Sequence, residues 1–248
     1  MLIESGQECP YCGSSDARAE YETNWFCFSC HRSDRKSTKN PRQVITTHKD
    51  EHIKFREAEL PKIALAYLYK LHFSLEEIQS LGIMWKSDCE VWSKKYNNYC
   101  SVGDRLYLPA SDDEGDLKTL SKHKLKCLST NPTKCLGLFV NKNDSPVILV
   151  EDLLSAYRLH LCGYNVVSLR GTSCSASNFA LLRKLGDEYL IWLDSDRPGR
   201  SSAKKLKKRL EMWDKKCDNV STEEDPKHYN KIEIRSMLHG KACFLESE

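Results

Sequence analysis

Four cysteines carry the sharpest chemical signal in the sequence. Cys9-Pro-Tyr-Cys12 and Cys27-Phe-Ser-Cys30 form a C-x2-C-x14-C-x2-C pattern. A two-residue gap lets both thiolates of one turn reach the same metal. The spacer is long enough to close a hairpin that brings the second turn opposite the first. Four thiolates at about 2.3 Å complete a tetrahedral Zn²⁺ shell. Such a shell has no open position, so one structural Zn²⁺ is expected. A pair of thioredoxin-like redox motifs would need a βαβ context that this segment lacks. Arg18, Trp25 and Phe26 lie between the cysteine pairs. They either stack against and steer single-stranded nucleic acid, or merely cover the hairpin.

A second signal is acidic. Glu151 leaves the end of the apolar run Val147-Ile-Leu-Val150, and Asp194-Ser-Asp196 ends the run Tyr189-Leu-Ile-Trp-Leu193. Asp225-Pro226 follows a further strand expected near 217–220. The C-terminal ends of parallel strands are where open α/β sheets place their sites. Residues i and i+2 of a strand share a face, so Asp194 and Asp196 are expected to face one metal together. One acidic residue at a strand end is commonly a helix cap. Three in consecutive strands make an oxygen-rich site suited to Mg²⁺ or Mn²⁺.

The elements that must position these groups can be read from periodicity. Ala64, Tyr67, Leu68, Leu71, Leu75, Ile78 and Leu81 recur at helical spacing, and Ser74 with Glu77 forms a capping box. Arg105–Pro109 reads as a strand, Asp112–Gly115 as a turn, and Lys118–Leu128 as a returning strand. From residue 146 strands and helices alternate: helices at Leu153–Leu161, Ala176–Leu185 and Arg200–Trp213, strands at Asn165–Leu169 and 189–193. That alternation predicts an α/β domain built of βαβ units with a mostly parallel sheet. The expected divisions are a zinc ribbon at 1–34, a charged linker at 35–58, an α+β N-terminal subdomain at 59–145 and the βαβ domain at 146–241. The 38 Lys+Arg against 35 Asp+Glu give a charge-rich but nearly balanced surface, so any nucleic-acid contact must come from local patches. Met1-Leu-Ile-Glu-Ser is charged too early for a signal peptide, and no apolar run is long enough to span a bilayer. A cytoplasmic protein without a membrane role is expected, so its 12 cysteines are read as metal ligands and free thiols.

Glu151, Asp194-Ser-Asp196 and Asp225-Pro226 together resemble the Toprim metal site of bacterial-type primases, topoisomerases and some nucleases. With the zinc ribbon ahead of them, the chain resembles the primase half of phage primase–helicases. The segment between, with Gly103-Asp-Arg-Leu-Tyr-Leu-Pro and Thr133-Lys-Cys-Leu, resembles the basic subdomain that precedes Toprim in those primases. The resemblance implies a DNA-dependent RNA primase that reads single-stranded DNA through its ribbon and condenses nucleoside triphosphates into short primers. It implies Glu151 as the acid/base residue near the primer 3′ hydroxyl and also a magnesium ligand, with Asp194 and Asp196 holding the ion and Asp225 assisting. It assigns Arg105, Lys122, Lys124 and Lys134 to nucleotide phosphates or template, and Arg18 and Trp25 of the ribbon to DNA.

The sequence departs from that family pattern. Its usual Glu-Gly-x-x-Asp reads Glu151-Asp152-Leu-Leu-Ser155, so one acidic ligand is replaced while Asp152 has appeared beside Glu151. A histidine common in such ribbons is Asn24, and the lysine before the Asp-Pro motif is Glu224. No Gly-x-x-x-x-Gly-Lys-[Ser/Thr] motif occurs. A replicative helicase is therefore expected in trans, in a phage-encoded system of a bacterial host. Two other functions remain open: a Toprim-type nuclease, and a non-catalytic single-stranded nucleic-acid-binding replication accessory. Dependence on Mg²⁺ separates an enzyme from a binder.

Overall fold

The structure, a computed structural model, describes residues 2–9, 14–21, 24–27, 29, 33–35, 53–93, 96–111, 114–121, 126–130, 135–141 and 145–242. The chain divides into two compact units, Met1–Asp50 and Glu51–Glu248. The first is a four-stranded antiparallel meander, β1 (Leu2–Gln7), β2 (Arg18–Tyr21), β3 (Asn24–Cys27) and β4 (Ser33–Arg35), paired in chain order. Among its described residues only Cys9, Ala19 and Cys27 are buried.

The second unit opens with β5 (Ile53–Ala58), then α1 (Lys62–Lys70) and α2 (Leu75–Ser80). The expected capping box is present: Glu77 N–H donates to Ser74 Oγ at 3.2 Å, and Ser74 N–H to Glu77 Oε2 at 3.0 Å. An antiparallel sheet follows from β6 (Met84–Ser93), β7 (Asn98–Ser101), β8 (Arg105–Pro109), β9 (Gly115–Lys118) and β10 (Cys127–Ser129). Its order is β10-β9-β8-β6-β5, with β7 also paired to β6. Two expectations are corrected here. The return strand after the 112–115 turn begins at Gly115, opposite Pro109, and not at Lys118. The end of the supposed linker is strand β5, paired to β6 from Ile53 to Ala58. Only Ile53 of that strand is buried, so its side chains read as linker while its backbone completes a ladder.

Next come β11 (Gly137–Phe139), β12 (Val147–Val150), α3 (Leu153–His160), β13 (Asn165–Ser168), α4 (Ala176–Leu182), β14 (Glu188–Trp192), α5 (Arg197–Glu211), β15 (Lys216–Asn219) and α6 (Lys231–Ala242). The sheet order is β11-β13-β12-β14-β15, parallel except for β11, as the βαβ pattern predicts. All four residues of β12 and of β13 are buried, because helices cover both faces. One face packs Leu149, Val167 and Ile191 with Phe179 of α4 and Leu206 and Leu210 of α5. The other packs Ile148, Val150 and Trp192 with Leu159 of α3 and Ile234 and Leu238 of α6. No helix among the described residues is long and apolar enough to cross a membrane.

The two sheets of this unit, spanning the segments 59–145 and 146–241, share one core. Leu153, Leu154 and Tyr157 of α3 pack with Leu68 of α1, Ile78 of α2 and Leu106 of β8. Arg158, 1% exposed, donates to Leu71 O at 2.6 Å, and the Tyr157 hydroxyl donates to Pro109 O. The strongest tie is Arg170, just past β13. Its buried guanidinium pairs with Glu114 and with Asp116 at 2.7 Å, and donates to Gly115 O at 3.0 Å, Ser129 Oγ at 2.6 Å and Cys135 O at 3.3 Å. Arg170 also sits at φ 53°, a left-handed conformation that a side-chain-bearing residue holds only when its surroundings over-determine it. Arg170→Met should therefore destabilise the chain by about 3–5 kcal/mol, because Glu114 and Asp116 are left buried without a counter-ion. Urea unfolding measures this. Adding Glu114→Gln and Asp116→Asn should recover part of the loss, and a single-variant loss no larger than that of a surface substitution would contradict the assignment.

Candidate functional site

Three loops at the C-terminal ends of β12, β14 and β15 build the acidic site. Glu151 and Asp152 follow β12 directly. The Glu151 carbonyl accepts from Gly171 N–H at 2.9 Å, which ties the loop after β12 to the loop after β13. Asp152 caps α3: its Oδ1 accepts from Ser155 N–H at 3.0 Å and its Oδ2 from the Ser155 hydroxyl at 3.2 Å. Ser155, standing where an acidic ligand was expected, thus binds the acid that has appeared three residues earlier.

The strand β14 ends at Trp192, so Asp194 and Asp196 lie in the turn beyond it. The two-residue alternation of a strand therefore does not govern them, and they separate. Asp196 is exposed and caps α5, accepting from Gly199 N–H at 2.7 Å, while Asp194 turns into the site. The turn needs Gly199, where a Cβ would collide with the Asp194 carbonyl. The loop after β15 is held by Trp192 Nε1 donating to Thr222 Oγ1 at 2.8 Å and by Thr222 Oγ1 donating to Glu224 O at 2.7 Å. It delivers Asp225 at the head of a single 3-10 turn, Pro226–His228.

One carboxylate oxygen from each of Asp152, Asp194 and Asp225 lies within 4.8 Å of the others. The magnesium ligands expected from the sequence were Glu151, Asp194 and Asp196, with Asp225 assisting; the trio that the fold brings together shares Asp194 with that set and adds Asp152 and Asp225. Glu151 stands beside this trio. Its Oε2 is buried with no hydrogen-bond partner. Burial first, and then the charges of Asp194, Asp196, Asp152 and Asp225, push its pKa up to about 7. Burial and Asp225 likewise raise Asp194 to about 6, against the opposing pull of Lys227. Lys227 was not expected from the sequence. It donates to Asp152 Oδ2 at 2.7 Å and to Asp225 Oδ2 at 2.6 Å. Burial works to raise Asp152, but Lys227 and the Ser155 N–H outweigh it and hold that carboxyl low, with Lys118 of β9 helping. An unpaired buried oxygen, mutually repelling carboxylates and an all-oxygen donor set fit a hard divalent cation such as Mg²⁺ or Mn²⁺, held by Asp152, Asp194 and Asp225.

The basic residues expected to meet nucleotide or template are placed unevenly. Arg105 is corrected: it is 0% exposed and donates to the Val102 carbonyl at 3.1 Å and the Leu117 carbonyl at 3.3 Å, an internal strut of the antiparallel sheet. Its apolar neighbours Leu106 and Leu108 in the strand gave no hint that its own side chain also turned inward. Lys122, Lys124 and Lys134 lie outside the described residues. In the ribbon, Cys9 and Cys27 are buried, and Cys9 N–H donates to Ser14 O at 2.8 Å in the turn after β1. Cys12 and Cys30 lie outside the described residues. The buried thiols suit the Zn²⁺ that four such ligands would hold. The Arg18 guanidinium lies 5.2 Å over the Trp25 ring and 3.7 Å from Glu20, and both Arg18 and Trp25 are half-buried.

The raised carboxyls make stability depend on pH. Glu151 binds its proton up to about 7 in the folded chain against 4.5 otherwise, and Asp194 up to about 6 against 3.8. The folded state then binds more protons than the unfolded one in this window, so stability falls as pH rises through it. Asp152, held low, acts only below the window. Thermal melts in EDTA between about pH 5 and about pH 8 should show Tm falling with pH, less steeply in Glu151→Gln. Mg²⁺ should restore the loss at the upper end. Equal slopes in the two proteins would show that Glu151 does not titrate there.

Comparison with known proteins agrees with this geometry. Residues 149–230 match the Toprim-like family. A DNA primase of Helicobacter pylori strain J99 is 26% identical over 147 residues, which is 52% of this chain and 25% of that protein. The chain thus aligns with only a quarter of that relative's length. The zinc-binding and RNA polymerase domains of the Aquifex aeolicus primase superpose with a TM-score of 0.56 at 15% identity, covering 97% of this chain and 80% of that one. A DNA primase domain from Pseudomonas aeruginosa gives a TM-score of 0.58 at 19% identity, covering 72% and 71%. The chain is thus similar to DNA primases, with a Toprim-like match at 149–230 and the fold of a primase core.

Proposed function

We propose that the protein is a DNA-dependent RNA primase that synthesises short oligoribonucleotides by metal-dependent nucleotidyl transfer. The observation that carries this reading is the gathering of Asp152, Asp194 and Asp225, with the unpaired Glu151 beside them, at the ends of three parallel strands of a Toprim-like domain. Asp152, Asp194 and Asp225 would hold Mg²⁺ or Mn²⁺. That ion, when bound, supplies positive charge to the triphosphate and to the leaving pyrophosphate. Glu151 accepts the proton of the primer 3′ hydroxyl as the hydroxyl attacks the α-phosphate of the incoming nucleotide. Its pKa of about 7 suits a group that takes and returns a proton near neutral pH.

Other chain residues are given supporting roles. Cys9, Cys12, Cys27 and Cys30 hold one structural Zn²⁺, and the ribbon meets single-stranded DNA template through Arg18 and Trp25. Lys122, Lys124 and Lys134 meet nucleotide or template phosphates. Lys118, near enough to Asp152 to act on its charge, joins them in place of the buried Arg105. Arg197 and Arg200, exposed in the first turn of α5, extend the cationic surface beside the acids. Single-stranded DNA, nucleoside triphosphates and a replicative helicase acting in trans are the partners this function calls for, in the cytoplasm of a bacterial host and from a phage-encoded gene.

A second reading, a non-catalytic nucleic-acid binder, is favoured by one observation: the Lys227 ammonium already engages two of the three clustered carboxylates. One assay separates the readings. Incubated with a pool of single-stranded DNA templates, labelled nucleoside triphosphates and Mg²⁺, the wild type should make short labelled oligonucleotides and Asp194→Ala none. Glu151→Gln should lower the rate by about 10²–10⁴-fold, the usual share of a general base. Binding without synthesis, with or without a helicase, would support the accessory function. Mg²⁺-dependent cleavage would support a nuclease.

A further inference from the structure

We propose that Lys227 is a resident cation of the acidic centre, occupying the place of a second divalent ion so that the centre binds one such ion only. This rests on the reading of the carboxylates as a metal centre. It adds a role for a residue that the acid-based reading of the site leaves unassigned.

The geometry of one residue carries the inference. The Lys227 ammonium contacts Asp152 Oδ2 at 2.7 Å and Asp225 Oδ2 at 2.6 Å, two of the three oxygen-bearing groups of the cluster. Its side chain is 12% exposed, against 30% for Asp152 and 21% for Asp225, so the cation is enclosed by its partners and does not lie on the surface. The 3-10 turn Pro226–His228 that carries it packs against α3, whose first turn Asp152 caps. Backbone on both sides therefore fixes the bridge. Charge-assisted bonds of this length, out of water, are the strong kind.

Counting lone pairs then limits what remains for metal. Asp152 Oδ1 already accepts from Ser155 N–H, and Oδ2 accepts from the Ser155 hydroxyl and from Lys227. Asp225 Oδ2 is taken by Lys227, which leaves its other oxygen. Asp194, whose carboxyl is hydrogen-bonded to Asp225 and not to the lysine, remains for the metal. A dication placed between Asp152 and Asp225 would have to share oxygens with a mostly enclosed ammonium. Like charges on shared oxygens repel, and the lower dielectric of the enclosed site strengthens that repulsion.

Mn²⁺ binding to the full zinc-loaded chain, followed by the EPR signal of the free ion, tests this without reference to activity. Wild type should bind one Mn²⁺ per chain at the acidic centre, lost in Asp194→Asn. Lys227→Met, which keeps the stem and removes the charge, should take up a second Mn²⁺ or bind the first about tenfold tighter, a change of about 1.4 kcal/mol. Asp152→Asn combined with Lys227→Met removes the pair together and should return the isotherm to one ion at near wild-type affinity. Thermal melts in EDTA establish that each variant is folded. Two ions in the wild type, both lost in Asp194→Asn, would overturn the proposal, as would an unchanged isotherm in folded Lys227→Met. If neither wild type nor Lys227→Met binds Mn²⁺, the metal-centre reading itself fails. Binding in the variant alone would show that the lysine replaces metal altogether and overturn the single-ion claim.

Discussion

The buried guanidinium of Arg170 is the interaction on which the rest of the second unit depends. It leaves the end of β13 and reaches across to Glu114, Asp116, Gly115, Ser129 and Cys135, on and around the β8–β9–β10 edge of the antiparallel sheet. An enclosed charge is costly unless it is fully paired. Here the cost is offset by two carboxylates and three further acceptors, of which Gly115, Asp116 and Ser129 are fixed by the pairing of β9 with β10. The residue after it, Gly171, donates to the Glu151 carbonyl. The same short segment therefore locks the two sheets together and sets the backbone from which the acidic site begins.

The acidic site runs the opposite way energetically. Strand ends and helix caps force carboxylates together, and their mutual repulsion with partial burial raises Glu151 and Asp194. The fold can hold such a site because β12 and β14 are buried on both faces and the loops are bound by their own hydrogen bonds. Relief comes partly from within, through Lys227. Relief from outside is what a divalent cation or a substrate's metal would supply. A site that is incompletely neutralised by the protein is one that favours cationic ligands, and that is the physical link between this geometry and the nucleotidyl transfer proposed for it.

Capping chemistry decides which acids are available. Asp196 engages one oxygen with the first turn of α5, while Asp152 engages both with Ser155 and Lys227 and keeps a lone pair for the cluster. Residues of the same type a few positions apart thus take different parts. Asp194, followed by a turn that only Gly199 can complete, keeps its carboxylate for the cluster.

The sequence by itself determined the local and periodic features. The Cys-x2-Cys spacing, the Ser74–Glu77 capping box, the strand–helix alternation after residue 146 and the acids at strand ends are all written in neighbouring residues, because each depends on contacts a few positions apart. Tertiary structure alone decided the rest. That β5 is a strand rests on backbone bonds to β6, which its exposed, charged side chains do not advertise. That Arg105 and Arg170 are interior struts rests on acceptors supplied from other strands. Asp152 and Lys227, 75 positions apart, meet only because the loops after β12 and β15 converge at one end of the parallel sheet. Pairings of that kind are set by where chain segments cross, and no periodicity in the sequence records it.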